Sequence, residues 1–403
     1  MKNPLLQDKA HNWFQDKRFH NGALQVLFFL ILVYFISAGY ANVIASLTKR
    51  GLLPSFHFLS LTAGFDIGEQ LIHFGNSSSN ARAILVGFLN TISISFLAIF
   101  FATILGLIIA LCRLSSNWLL KKLALAYIEI IRNIPLLMLL LIWYRAFFLR
   151  LPGISKAIIA GHRISADGVR SATFIFSNRG MAIAWPRPTE TFPTYKLFLY
   201  VFAVVAVILG IYLYLKGKKT GRKQMFIFLP ICLFFGLSLL TILLFPTSPL
   251  KLDYPKIEKF NTVGGLSISA EWFSLFSGLV LYTSAFIAEA FRAGIQGVPR
   301  GQVEAARALG FSHMKTLRLV VIPQAKIVVI PPLTSIFLGV AKNTSLGVAI
   351  GFPDLFSIAG TIINQTGRSL EMILIVMVIY LTLSILTSLF MNWYNSRVQL
   401  KER

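Results

Sequence analysis

Few residues in this chain have the type and spacing to do chemistry, and most of the chemistry they suggest is incomplete. Gly217-Lys218-Lys219-Thr220 has half of a phosphate-binding loop. The other half is a glycine five residues before the glycine-lysine pair, and that position holds Tyr212 inside an apolar run. The two cysteines, Cys112 and Cys232, offer no metal-type spacing and adjoin or lie in apolar segments, so both read as reduced and structural. No cluster of His, Asp or Cys marks a catalytic centre, so the sequence assigns this chain no catalytic residue, no metal ligand and no cofactor. Two carboxylates remain. Glu289 lies within an apolar segment, where an ionisable group is costly and points to function. Glu304 lies in a basic stretch among alanines, a shape suited to insertion into a partner's groove.

The elements that carry these residues belong in a bilayer. Of 403 residues, 56% are hydrophobic and 13% charged, with a mean hydropathy of +0.72, outside the balance of a soluble globule. The net charge of +23 suggests nucleic acid, but the basic residues sit in short segments between apolar runs, so no nucleic-acid partner is expected. Runs of about twenty apolar residues occur at 24–44, 84–111, 123–148, 197–215, 226–245, 274–291, 327–341 and 372–391. This predicts an all-α integral membrane protein with about eight transmembrane helices, surrounded by membrane lipid. The first run is longer than a signal-peptide core and reads as a retained anchor, although Ala41 and Ala45 can imitate a cleavage site. The third contains Glu129, Arg132 and Pro135, so its apolar part starts near Ile134. The seventh contains Pro331-Pro332, which must kink or interrupt the helix.

Eight spans put both termini on one side. Segments 1–23, 112–133, 216–223, 292–326 and 392–403 hold 22 of the 38 Lys and Arg, which makes them cytoplasmic by the positive-inside rule. The cluster Lys216, Lys218, Lys219, Arg222 and Lys223 is the densest. Loop 149–196 carries seven basic residues on the opposite side, but long loops obey the rule weakly. The resulting division is a cytoplasmic N-terminus (1–23), an anchor (24–44), a periplasmic loop (45–83) and a first core part (84–148). A second periplasmic loop (149–196), a hairpin (197–245), a third periplasmic loop (246–273), a second core part (274–391) and a cytoplasmic tail (392–403) follow.

Within the second core part, the loop 292–323 has its own local order. Pro299 can open a helix that runs from Arg300 to Leu309 and ends at Gly310. Ser312 can cap a second helix that runs to Pro323. Val303, Ala306 and Leu309 fall on one face of the first helix, with Glu304 and Arg307 beside them. A basic loop needs only to be soluble, so on residue chemistry alone docking and simple solvation stay open.

The motif itself decides further. Glu304-Ala305-Ala306, Gly310 and Val320-Val321-Ile322-Pro323 closely resemble the "EAA" signature of ABC-importer permeases, with Val and Ile where that family often has Ile and Leu. Ala288-Glu289-Ala290-Phe291-Arg292, Gly301-Gln302 and Lys342-Asn343-Thr344-Ser345-Leu346 look like the polar-amino-acid branch of these permeases. So do Asn90-Thr91-Ile92-Ser93, Tyr127-Ile128-Glu129 and Arg132-Asn133-Ile134-Pro135. The resemblance implies a five-helix type I core made of spans two, three, six, seven and eight, with the first span and the 197–245 hairpin added. It is similar to a permease subunit of the bacterial general L-amino acid transporter. It implies coupling to an ABC ATPase through Gly301, Glu304, Ala305, Ala306, Gly310 and Pro323, with ATP and Mg on that partner. It also implies a second permease subunit of different sequence and a periplasmic amino-acid-binding protein, all at the bacterial inner membrane.

Candidate path residues follow from polar positions in the spans. Gly278, Tyr282, Ala285 and Glu289 form one helical stripe that can face a path, and Glu289 can equally pair with Arg292 one turn later. Asn90 and Thr91 lie in the second span, and Thr91, Ser95, Ala98, Ala102 and Gly106 read as a packing seam more than a pore lining. Thr334 and Ser335 follow the double proline, where a broken helix can offer backbone groups to a substrate or where they bond the kinked backbone themselves. An ion-coupled carrier is the alternative class. It should show inverted repeats and intramembrane ionic sites, and the sequence shows no repeat.

Overall fold

The structure, a computed structural model, describes residues 17–49, 55–164, 170–220, 228–258 and 261–399. Residues 1–16 of the expected cytoplasmic N-terminus lie outside the described residues, as do Arg222 and Lys223 of the basic cluster and 400–403 of the tail.

Helix dominates what is described. The first helices are α1 (Lys17–Lys49), α2 (Asn80–Leu114), α3 (Trp118–Asn133) and α4 (Leu136–Ile142), the last carried on by π and 3-10 turns to Arg150. Next come α5 (Phe192–Thr220), α6 (Phe228–Leu244), α7 (Ala270–Gln296) and α8 (Arg300–Ala308). The chain continues with α9 (His313–Thr316), α10 (Ile322–Asn343), α11 (Leu355–Thr366) and α12 (Ser369–Val398). Among the described residues, six helical stretches are long and apolar enough to cross a membrane: α1, α2, α5, α7, the run through α9 and α10, and α12. A seventh is available if α3 and 136–150 are one span bent by 105°, and α6 is a shorter apolar helix of 17 residues. The bend falls at Ile134-Pro135, because the residue before a proline is driven out of helical geometry. The 12 residues of α11 are a feature the sequence did not suggest, and they are too few for a crossing.

The centre of the bundle is α2 against α7. Each starts on a serine whose hydroxyl accepts a backbone N–H: Ser79 from Arg82 at 3.3 Å, Ser269 from Trp272 at 3.1 Å. The stripe Thr91, Ser95, Ala98, Ala102 and Gly106 is buried along its length. A Cβ on Gly106 would stand 2.7 Å from Ile287 Cγ2 and 2.9 Å from the Ser284 carbonyl oxygen, so the helices are in backbone-close contact there. The stripe is a packing seam. One apolar cluster beside it joins Ile94, Leu140, Leu279 and Phe352; another joins Ile287, Ile330, Leu333 and Met391.

The segments 149–196 and 246–273, read from sequence as periplasmic loops, contain strands. They are β1 (Ile158–Ile164), β2 (Arg170–Ser177), β3 (Gly180–Ile183), β4 (Trp185–Pro188), β5 (Leu250–Asp253), β6 (Lys256–Glu258), β7 (Asn261–Val263) and β8 (Leu266–Ser269). Six form one antiparallel sheet, while β4 pairs with β5. Strand β3 pairs with β8 from Gly180↔Ser269 to Ile183↔Leu266, so the sheet ties both roots of the α5/α6 hairpin to the start of α7. An Arg187–Asp253 ion pair at 2.7 Å crosses the β4/β5 ribbon.

Pro323 was expected to stop the second elbow helix, and the helical backbone runs on through it; Pro331-Pro332, expected to kink or interrupt the next span, do not interrupt it. Pro323 stands in the first turn of α10 directly after a π turn at Leu317–Val321, where the wider register relieves the missing N–H. Pro331 and Pro332 are exposed, so their rings displace no packed neighbour in this chain.

Candidate functional site

The elbow between α7 and α10 is a short helix held by one face. Val298, Val321 and Ala325 are buried together, with Val303, Ile295 and Leu317 packed around them. Ala306 is buried on the same side, whereas Gly301, Glu304 and Ala305 are exposed on the other. The two alanines of the motif therefore have opposite tasks: Ala306 anchors the helix and Ala305 leaves its outer face flat. Leu309 was expected on the inner face and is instead 75% exposed, because it is the cap residue at which the chain leaves helical geometry. Met314 across the turn is also exposed, so the elbow's tip carries apolar surface.

Gly310 closes the helix in the manner its position predicts. Its φ is +75°, its N–H bonds the Arg307 carbonyl at 2.9 Å, and the Phe311 N–H bonds the Ala306 carbonyl at 3.1 Å. This pair of bonds is a Schellman motif, in which the left-handed residue is nearly always glycine. Ser312 then caps α9, its hydroxyl accepting from the Lys315 N–H. Helix α10 starts at Ile322, ten residues later, with Pro323 in its first turn. Helix α8 is thus joined to α7 at one end and, through α9, to α10 at the other.

The candidate path residues do not form one cluster. Asn90 is buried, its amide donating to the Glu69 carbonyl at 2.8 Å and the Pro353 carbonyl at 2.9 Å. Thr91 Oγ1 accepts the Leu355 N–H at 3.1 Å. Both side chains tie α2 to the start of α11. Glu289 takes two hydrogen bonds from the Arg292 guanidinium, one from Nε at 2.9 Å, so the pairing allowed by their spacing is the arrangement present. Tyr282 is half-buried, its ring 4.9 Å from that of Phe286. Thr334 is half-buried and donates to the Ile330 carbonyl at 3.0 Å, whereas Ser335 is exposed.

Other polar residues here escaped the sequence reading. Asp354, wholly buried, caps α11 by accepting the Ser357 N–H at 2.8 Å and receives the Tyr380 hydroxyl at 3.3 Å. Burial pushes its carboxyl up to about 6, partly offset by the backbone N–H groups of Ser357 and Phe356 and by Tyr380. An Asp just before an apolar run is a helix-start signal, which would have found the cap. A cavity of about 370 Å³ lies next to it, lined by Asp66, Glu69, Glu271 and Pro353 among others. Ser269 donates its N–H to Glu69 at 2.7 Å, and the Tyr144 hydroxyl donates to Glu271 at 2.6 Å. Tyr127, part of a motif the sequence did single out, fastens α3 to α7 by bonds of 2.8 Å to the Leu281 carbonyl and the Ser284 hydroxyl.

Comparison with known proteins bears on the same stretch of chain. Residues 102–400 match the family model described as "Binding-protein-dependent transport system inner membrane component". The general L-amino acid transport system permease protein AapQ of Rhizobium johnstonii is 40% identical over 388 residues, covering 96% of this chain and 94% of that one. The glutamate/glutamine/aspartate/asparagine transport system permease protein BztB of Rhodobacter capsulatus is 36% identical over 424 residues, covering 96% of each. A solved amino acid ABC transporter with histidines aligns at 23% identity over 79% of this chain and 94% of that one, with a TM-score of 0.46.

Proposed function

We infer how this chain works from one premise: the chain belongs to the family of binding-protein-dependent transport system inner membrane components. It is a multi-pass permease subunit of an ABC importer for amino acids, forming the path through the inner membrane and not acting as an enzyme. An ABC ATPase on a partner subunit, with its ATP and Mg, drives alternating access; a periplasmic binding protein delivers the amino acid; a second, different permease completes the path. Both termini and the elbow are cytoplasmic, and the chain crosses the membrane eight times.

The observation that carries this reading is the elbow's build. Helix α8 is fastened by Val303 and Ala306 and locked at its end by Gly310, yet it leaves Gly301, Glu304, Ala305 and Leu309 facing outward. A solvated loop needs neither the lock nor the apolar outer surface. Docked in a groove of the ATPase, the helix receives a push and passes it to α7 and α10, the two helices it joins. Pro323, at the root of α10, keeps that root stiff. The path runs past Tyr282, Thr334, Ser335 and Glu289, with Asn90 and Thr91 fixing its wall by holding α11 on α2.

The test is Glu304→Lys and Gly310→Val in the purified complex, with binding-protein-stimulated ATPase activity, uptake and membrane insertion measured together. Losing one member of a desolvated charged pair costs on the order of 2–5 kcal/mol. Insertion should be normal and both activities reduced to background. Wild-type stimulation and uptake in both variants would make the elbow an ordinary solvated loop.

A further inference from the structure

The α5/α6 hairpin is closed at one end and open at the other. Toward the strands, Tyr195 and Phe198 pack edge-on against Phe245, and the Tyr195 hydroxyl reaches the Ser238 carbonyl at 3.3 Å. Toward the segment 221–227, small residues replace the rings. Ala203, Ala206 and Gly210 on α5 face Pro230 and Phe234 on α6 across a groove of about 390 Å³. That size falls within the range of small-molecule sites, roughly 300–1,000 Å³. No residue in the most apolar window of α5 is fully buried inside this chain, so the groove opens to the bilayer.

Depth and charge narrow the occupant. From Ala203 to Lys216 the helix rises about 20 Å at 1.5 Å per residue, a little more than one leaflet of a hydrocarbon core about 30 Å thick. At that level α5 carries Lys216, exposed with its Nζ 5.8 Å from the Tyr212 ring centroid, and Lys218 and Lys219 follow in its last turn. No Asp or Glu occurs in α5 or α6. An apolar groove one leaflet deep beneath a run of cations matches the two ends of one kind of molecule.

We propose that an anionic phospholipid occupies this groove, one acyl chain lying between Ala206 and Phe234 and the headgroup phosphate resting at Lys216. A zwitterionic lipid would fill the groove but gain nothing at the lysines. A helix of another subunit would fill the groove by shape alone and would gain nothing from the cations beyond it. The site does not depend on the transport reading, since it rests only on the hairpin and the bilayer around it.

The full chain, purified in mild detergent, is titrated with phosphatidylglycerol or with phosphatidylcholine of the same chain length, and bound lipid is counted by native mass spectrometry. Phosphatidylglycerol should bind about tenfold or more tightly than phosphatidylcholine, the scale set by several basic residues at an anionic surface. Replacing the three lysines together (Lys216→Gln, Lys218→Gln, Lys219→Gln) should bring the two lipids within about twofold, and Ala206→Phe, which fills the groove, should lower both. The charge variant alters helix-end positions outside the groove lining, so it stays informative if the groove variant fails to fold. A photoreactive residue at position 206 of the assembled complex should cross-link to lipid. Equal binding of the two lipids, a preference that survives the lysine replacements, or a cross-link from position 206 to another subunit would each overturn the proposal.

Discussion

Two helices with almost equally apolar central windows, α2 and α5, end in opposite surroundings. A third of the residues in the most apolar window of α2 are buried inside the chain, and none in that of α5 is fully buried. Both carry small residues at helical spacing, Ala98, Ala102 and Gly106 on one and Ala203, Ala206 and Gly210 on the other. The difference lies in the partner. Helix α7 presents Ile287 and the Ser284 backbone to the α2 stripe and leaves no room, whereas α6 presents Pro230 and Phe234 and leaves a groove. Apolarity reports the solvent a helix prefers, and only the shape of its neighbour decides what it packs against.

The largest effect separating the two regions is expected at their glycines. Gly106→Leu drives a side chain into Ile287 and the Ser284 carbonyl, which already lie under 3 Å from where its Cβ would sit. Overpacking of this kind costs about 3 kcal/mol. Gly236→Leu on α6 meets nothing within 4 Å and should change stability by less than about 0.5 kcal/mol. Thermal unfolding of both variants in the same detergent checks this. Similar midpoints would mean that the α2/α7 seam is as loose as the hairpin.

A second contrast is in pH. Asp354 sits in the core with its carboxyl pushed up to about 6, against an ordinary value of 3.8. The folded chain therefore holds this proton more tightly than the unfolded chain between about pH 4 and 6. Stability contributed here is present at the acidic end of that window, falls as pH rises through it, and is level above about 6. The integral is on the order of 2–3 kcal/mol. The hairpin helices contain no carboxylate, so amide hydrogen exchange of 228–244 should not follow the same profile. Exchange in 355–366 should slow between pH 7 and pH 5 after correction for the chemical rate. Asp354→Asn should remove that slowing, and a variant that kept it would assign the effect to another group.

The regions also differ in how legible they were. The helices could be read because a run of twenty apolar residues has few other uses, and Gly310 because a glycine after good helix formers has one common role. Pro323 misled. The rule that a proline breaks a helix is local, and at Pro323 a π turn supplies a register the rule does not consider. The strands escaped because their pairing is long-range: Gly180 meets Ser269 only after the whole hairpin has been threaded between them. In the elbow, the motif marked the residues but not their directions. Ala305 and Ala306 are equivalent in sequence and opposite in exposure, a difference set by Val298 and Val321 on flanking segments. Asp354 was legible as a cap and not as a buried acid, since its burial depends on α2 and α12 closing over it.

The smallest contrast concerns two threonines that look alike on a helix. Thr241 on α6 donates its hydroxyl to the Leu237 carbonyl at 2.7 Å, four residues back. That carbonyl keeps its own backbone partner within the helix, so Thr241→Val removes a redundant bond and adds a methyl in apolar surroundings. Its cost should stay within about 0.5 kcal/mol. Thr91 instead accepts the Leu355 N–H at 3.1 Å, in the first turn of α11, where that amide has no intrahelical acceptor. Both residues are wholly buried, so water cannot replace the hydroxyl. Thr91→Val preserves the shape and strands the amide, which costs about 1–3 kcal/mol. The Leu355 amide should then exchange faster by the corresponding factor, about tenfold or more at 1.4 kcal/mol. Equal costs at the two positions would show that α11 holds to α2 by apolar contact alone. The polar tie between them would then contribute no measurable stability, and the core would owe its order to the same packing that the hairpin lacks.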